Sequence, residues 1–153
     1  MADAKISALT AYTTPLDADL LAIVDTANAT TKKITWASVK TALVKTETKT
    51  DNYTVQTTDI GKTLVMNVAT TAKTFTLPSV GSGDVGLWFT FAKINTGKLT
   101  IDAADSDKIS DSGAGDTIYN DQTGEVYATI TLKLISETQW AVVGADGIWI
   151  TTD

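Results

Sequence analysis

The stretch between residues 102 and 121 is rich in carboxylates that could do chemistry: Asp102, Asp105, Asp107, Asp111, Asp116 and Asp121. Hard oxygen ligands in flexible loops are typical of calcium sites. The spacing does not match an EF-hand loop, however, and no Glu occupies the closing position. Two carboxylates could also serve a glycosidase, but nothing in this pattern fixes a pair across a cleft. Because Asp also favours turns and solvent, we interpret the stretch as acidic loops.

The residue types that the chain lacks narrow its chemistry further. The sequence contains no His and no Cys, and all 12 basic residues are Lys. A nucleophilic Ser would therefore have no His base, and no thiolate chemistry or Arg clamp on phosphate is available. The glycine-rich residues 81–86 precede a strand pattern and lack a Gly-Lys-Ser ending, unlike a phosphate-binding loop. We expect no enzymatic activity, no cofactor and no metal.

Length and charge set the class of protein. A chain of 153 residues suggests one domain, or a small domain with an appendage. The net charge of −6 opposes general binding to nucleic acid or to an anionic membrane. No apolar run approaches the length of a membrane span, and no signal peptide is expected at the N-terminus.

Residues 87–94 form the strand around which the rest of the chain is organised. Side chains alternate between the faces of a strand, so Leu87, Phe89, Phe91 and Lys93 share one face, and Trp88, Thr90, Ala92 and Ile94 share the other. Apolar residues on both faces predict that both are covered. One cover would be a second sheet of the same module, and the other a further sheet, a loop or another copy of the chain.

Aromatic residues provide the candidate core and oligomer interface. The residues predicted for these roles are Trp88, Ile94, Phe89, Phe91, Trp140 and Trp149. Exposed Trp and Tyr could instead stack on sugar rings, but such residues are more often core or interface anchors. We therefore favour the core or interface interpretation over glycan binding.

Short strand patterns separated by turn residues fill residues 53–153. They lie near residues 53–56, 62–69, 73–77, 87–94, 98–102, 107–110, 117–119, 125–135, 138–144 and 147–151. The segment 125–135 alternates, with Val126, Ala128, Ile130, Leu132 and Leu134 on one face. This spacing predicts an antiparallel β-sandwich or jelly-roll-like module, and a mainly β protein.

The first 45 residues predict a small separate unit, joined to the module by a linker at 46–52. Residues 1–14 are expected to form an arm or a brief helix, and residues 20–25 and 32–35 two strands. Thr35 is a plausible N-cap for a short helix. Because an isolated hairpin is marginally stable, the unit should dock on a partner. Its candidate anchoring residues are Leu20, Leu21, Ile23, Val24, Ile34, Trp36, Val39 and Leu43.

Two regions of the chain resemble phage virion proteins. Residues 5–10 (KISALT), 19–25 (DLLAIVD) and 30–40 (TTKKITWASVK) resemble the N-terminal attachment segment of many tail-fibre, spike and head-appendage proteins. The second region comprises residues 75–78 (FTLP), a Gly-rich loop, the strand at 87–94, Asn95, residues 99–101, Gln139-Trp140 and residues 147–149. It is similar to the small β-sandwich modules at the distal ends of such proteins.

The resemblance implies a structural role at the virion surface, a homotrimer and no catalysis. Receptor-binding fibres usually place a shaft between anchor and tip, whereas about eight residues here span at most ~30 Å. We therefore expect a capsid decoration (cement) protein that docks on the major capsid protein through its N-terminal unit. The alternative is a short tail-fibre or tailspike-type appendage on a tail or baseplate protein, or a module that binds a host glycan.

Overall fold

The structure is a computed structural model. It describes residues 16, 18, 20–25, 27–28, 30–43, 45–110, 116–121 and 123–152. The predicted arm at residues 1–14 lies outside the described residues. The chain divides into two compact units, Met1–Ala42 and Leu43–Asp153, which are called here the N-terminal unit and the β-module.

The N-terminal unit contains a hairpin followed by a helix. Strands β1 (Leu20–Asp25) and β2 (Thr30–Thr35) pair antiparallel, and helix α1 spans Trp36–Leu43. Thr35 caps the helix, because its Oγ1 accepts a hydrogen bond of 3.1 Å from the Ser38 backbone N–H. The predicted strands, helix and N-cap are therefore confirmed, with β2 beginning two residues earlier than expected.

The β-module consists of two mixed sheets. Its strands are β3 (Thr46–Lys49), β4 (Tyr53–Thr54), β5 (Thr63–Met66), β6 (Lys73–Thr76), β7 (Trp88–Lys93), β8 (Leu99–Asp102), β9 (Lys108–Ile109), β10 (Thr117–Asn120), β11 (Ala128–Ser136), β12 (Gln139–Asp146) and β13 (Ile150–Thr152). The six-stranded sheet has the order β3-β5-β7-β11-β12-β9, and the five-stranded sheet the order β13-β10-β8-β6-β4. The protein is mainly β, as predicted.

The prediction of a purely antiparallel module is wrong. The pairs β3–β5, β5–β7, β4–β6, β6–β8 and β9–β12 are parallel. From β3 to β11, each successive strand joins the opposite sheet. From β3 to β8, a strand and the next-but-one strand run in the same direction and pair side by side, whereas β8 and β10 pair antiparallel. Residues 46–49, predicted as part of a linker, form the edge strand β3.

Buried residues from both sheets meet in one hydrophobic core. A series of ring contacts crosses it, in which Phe91 of β7 lies between Phe75 of β6 and Phe89, with centroid distances of 6.2 Å and 6.5 Å. Trp140 continues the series 5.7 Å from Phe89. The predicted core residues Phe89, Phe91 and Trp140 are fully buried, and Trp149 packs partly buried against the same core.

The alternation predicted from residue 125 begins three residues later. Ala128, Ile130, Leu132 and Leu134 are buried along β11, whereas Val126 is 43% exposed. Tyr127 has a φ of 73°, a conformation that interrupts an extended strand. Val126 therefore belongs to the preceding turn, and the prediction that it shares a strand face with Ala128 to Leu134 is wrong.

Candidate interaction surfaces

The described part of the N-terminal unit has no buried side chain. Leu20 and Leu21 are 54% and 44% exposed, while Ile34, Trp36 and Val39 are half-buried. The side chains of the other predicted anchoring residues, Ile23, Val24 and Leu43, lie outside the described residues. A two-stranded hairpin with its leucines in water gains little from burial. The unit therefore presents apolar surface that a partner could cover.

The acidic loops lie where β8 ends and β10 begins. Asp107 and Asp116 are both buried, and each has one carboxylate oxygen with no hydrogen-bond partner in the structure. The Asp105 carboxylate accepts a hydrogen bond from the Ser79 hydroxyl. Asp111 lies outside the described residues. Within the described ranges, no group of three His, Cys, Asp or Glu side chains is placed to hold a metal ion.

Burial governs the titration of two of these carboxyl groups. Desolvation raises the pKa of Asp102 above its usual value. Desolvation also raises the pKa of Asp107; Trp140 opposes this rise and the Asp105 carboxylate adds to it. Raised carboxyl pKa values mark sites where the ionised form is disfavoured.

Replacing Asp107 by Asn is expected to stabilise the β-module at neutral pH by about 1 kcal/mol. The folded-state pKa of Asp107 lies above the ordinary 3.8, so folded Asp107 binds a proton more readily than unfolded Asp107. Its contribution to stability is therefore complete below the ordinary pKa and is lost as pH rises through the raised value. Thermal unfolding of both proteins at roughly pH 4 and roughly pH 7 should show the gain only at the higher pH.

The matched control for this prediction is Asp51→Asn, which neutralises an exposed carboxylate whose surface ion pair with Lys73 contributes little to stability. This change should alter the unfolding temperature little at either pH. If Asp107→Asn raised the unfolding temperature equally at both pH values, the titration of Asp107 would not be the cause of the gain.

A buried lysine at the C-terminal end of β7 joins the two sheets. Lys93 is fully buried, and its Nζ donates a hydrogen bond of 2.7 Å to Asn120 Oδ1 on β10. Asn120 Nδ2 in turn donates to Glu125 Oε2 at 2.6 Å, and the same oxygen accepts from the Ile148 N–H at 2.7 Å. Burial lowers the pKa of Lys93, while the carboxylates of Glu125 and Asp121 oppose this effect. We call Lys93, Asn120 and Glu125 the buried polar network.

The sequence contained one signal for this network. Lys93 follows Phe89 and Phe91 at two-residue spacing, so its inward direction was predictable. Its partner Asn120 was not, because a lone Asn at the end of a strand is also common in exposed turns.

An exposed apolar surface lies directly above the buried polar network. Val126, Tyr127 and Ile148 are 43%, 69% and 55% exposed, and they are called here the apolar tip. Tyr127 is held at a positive φ, and its N–H donates a hydrogen bond of 2.7 Å to the carbonyl of Lys93. Gly147 lies beneath, at φ 92°, where an added Cβ would approach Ala128 Cβ within 2.8 Å. Hydrogen bonds therefore hold the backbone of this apolar surface at Tyr127 and at Ile148.

A second apolar surface lies on the outer face of the six-stranded sheet. Trp88 of β7 is 41% exposed and pairs across the strands with Lys133 of β11. Ile135 and Val143 nearby are 56% and 57% exposed. Lys108 of β9 turns to the same outer face, because its neighbour Ile109 is buried beside Trp140. These five residues, Trp88, Lys108, Lys133, Ile135 and Val143, are called here the lysine patch.

The structure thus separates the predicted core and interface residues into two groups. Phe89, Phe91 and Trp140 lie in the core, whereas Trp88 lies at the surface and Ile94 is half-buried. The second face of the central strand therefore keeps part of its apolar surface in contact with solvent.

Comparison of the chain with protein-family models, with curated proteins and with solved structures gives no match. Among the described residues, no helix has the length and apolar character needed to cross a membrane.

Proposed function

We propose that this chain is a non-enzymatic structural protein of a phage particle, a trimeric capsid decoration protein that docks through its N-terminal unit and stabilises the capsid. The observation that carries the proposal is the N-terminal unit, whose described side chains include no buried residue and whose Leu20 and Leu21 are exposed. A unit with so little core gains stability when it docks on another protein. The sequence resemblance to virion attachment segments supports a protein of the phage particle as that partner.

The β-module supports the same role. Two sheets enclosing one core support a β-sandwich with mixed rather than purely antiparallel sheets. Such a module has its own core and can stand as a knob on the particle surface. Binding only to the assembled shell would stabilise that shell by mass action, which requires no catalytic group.

The double substitution Leu20→Ser, Leu21→Ser is expected to weaken binding to particles by roughly 100-fold or more. Burying one leucine side chain contributes about 1.5–3 kcal/mol, and each 1.4 kcal/mol corresponds to about tenfold in affinity. Purified full-length protein would be added to phage particles that lack it, and bound protein would be measured by co-sedimentation over a range of concentrations.

A suitable control is Val85→Ser, which removes an apolar side chain that is 49% exposed in the β-module. This variant should bind particles like the wild type. If the leucine double variant bound capsids with unchanged affinity, the assignment of the anchor would be wrong. Immuno-electron microscopy of the same particles separates capsid from tail attachment, because a short tail appendage would be labelled only at the tail.

A glycan-binding module is the second candidate, and Trp88 is the observation that favours it. This ring is exposed beside the hydroxyls of Thr90 and Thr131, which lie 3.0 Å apart. Binding to host surface polysaccharide that was lost in Trp88→Ala would favour this function. Full binding to particles in the absence of any polysaccharide binding would favour the decoration protein.

A further inference from the structure

The apolar tip and the lysine patch lie at opposite ends of the same strand. Val126 and Tyr127 immediately precede β11, whereas Lys133 and Ile135 lie near its end. Six residues of extended strand separate Tyr127 from Lys133 by about 20 Å. The two surfaces therefore cannot cover one another within one β-module.

The charges around the two surfaces are opposite in sign. Asp121 and Asp146 are exposed next to the apolar tip, and Asp146 lies opposite Thr129 at the start of β11. The lysine patch carries Lys133 and Lys108 among its apolar side chains. An apolar centre with a charged rim is the usual anatomy of a protein interface, and opposite rims favour the association of these two surfaces.

Several charged groups at these ends have partners within the chain, among them Asp121, whose carboxylate interacts with the Lys93 amine. Lys98, near the apolar tip, lies over the ring of Tyr119 at 3.7 Å. Lys93 is buried in the polar network. Asp107, next to Lys108, is buried, and Glu137 is exposed in the turn after β11, two residues from Ile135. The exposed charges at the patch end are therefore Lys108, Lys133 and Glu137, which sum to a positive charge, whereas the exposed charge at the tip end is acidic.

We propose that the apolar tip of one copy docks on the lysine patch of the next copy. Because the two surfaces differ, the contact is heterologous, and a heterologous contact that closes on itself produces a ring. This inference rests on the oligomeric part of the proposed function and names the surfaces that form the trimer. It accounts for the fixed backbone of Tyr127, since a preorganised surface loses less entropy on binding.

A second copy fits these surfaces better than an unrelated partner does. The chain carries a net charge of −6, so two copies meeting through most other surfaces would bring carboxylates together. The contact between tip and patch instead pairs the exposed Asp146 with lysines. One copy also supplies both complementary surfaces, so every tip in a closed ring is covered.

The experiment measures the oligomeric state of the full-length chain by sedimentation velocity over a range of concentrations. The wild type should form a trimer, and Lys133→Glu should weaken the trimer by roughly 30-fold or more, because it places a carboxylate opposite the acidic rim. The chain carrying both Lys133→Glu and Asp146→Lys should recover the trimer. Lys45→Glu makes the same charge change at an exposed residue beside β3 and should leave the trimer intact.

Tyr127→Ser tests the tip without a change of charge, and near-ultraviolet circular dichroism verifies that each variant is folded. A monomeric wild type, an unchanged trimer in Lys133→Glu, or a double variant that fails to recover would each overturn the inference. Particle binding is measured in parallel on the same proteins. Recovery of the trimer in a protein that binds no particles would support this contact while contradicting the decoration function.

Discussion

Replacing Phe91 by Ala is expected to lower the free energy of unfolding of the β-module by about 3–5 kcal/mol. Phe91 is fully buried and contacts the rings of Phe75 and Phe89, so it joins the two sheets at the centre of the core. Truncation removes apolar contact and leaves a cavity that rigid strands on both sides cannot fill. Urea denaturation of the full-length chain, followed by circular dichroism, gives the change directly.

The control lies one residue away on the same strand. Thr90 is half-buried on the outer face, and its hydroxyl lies 3.0 Å from that of Thr131. Thr90→Ala should therefore cost only about 1 kcal/mol, as expected for one hydrogen bond. Equal losses from the two substitutions would contradict the placement of the core between the sheets.

Replacing Asn120 by Leu is expected to destabilise the β-module by about 3–5 kcal/mol, although it makes the interior more apolar. The substitution removes the 2.7 Å hydrogen bond from Lys93 Nζ and the 2.6 Å bond to Glu125 Oε2. Lys93 stays buried after losing this acceptor, and the cost of burying its amine with one hydrogen-bond partner fewer dominates the energy. Chemical denaturation of the single variants and of Lys93→Met with Asn120→Leu forms a double-mutant cycle.

The double variant should be more stable than Asn120→Leu alone, because a buried polar pair is replaced by apolar side chains. The titration of Lys93 gives an independent measurement. Burial lowers its folded pKa below 10.5, so between that pKa and 10.5 the unfolded chain binds more protons, and stability from this group rises with pH. This rise should be absent in Lys93→Met. Additive losses in the cycle would mean that Lys93 and Asn120 do not act together.

Local patterns in the sequence located most of the strands, although they missed β3 at residues 46–49. The alternation of Ala128, Ile130, Leu132 and Leu134 reflects a strand with one buried face, and the structure places all of them in the core. The Thr35 cap was predictable for a similar reason, because capping depends on residues within one helical turn. Both patterns are local, so they can be recognised without knowing which strands are neighbours in a sheet.

The pairing of strands could not be predicted in the same way. Alternation shows which face of a strand is buried, but it does not name the neighbour or its direction. The parallel pair β5–β7 therefore remained hidden, although both strands were expected. The turn at Tyr127 was also missed, since a non-glycine residue with positive φ has no clear sequence signature.

The candidate surfaces were predictable only in part. The exposed leucines of the N-terminal unit and the apolar second face at Trp88 followed from residue type and spacing. The apolar tip depends on Ile148 lying beside Val126 and Tyr127. The Glu125 side chain holds Ile148 there by accepting a hydrogen bond from its backbone N–H. Contacts between loops that are distant in the chain leave no periodic pattern in the sequence.

The alternation of successive strands between the two sheets also bears on how the β-module folds. Among the strands that the structure describes in the module, only β11 and β12 are consecutive and pair with each other. They therefore provide its one local hairpin, and every other ladder must close a longer loop before it forms. During synthesis, β3 to β8 emerge before that hairpin. Two of these strands can pair only after the strand between them in the chain has joined the opposite sheet. The module should consequently acquire its native order late, from its C-terminal half, and fold slowly compared with a meander of the same length.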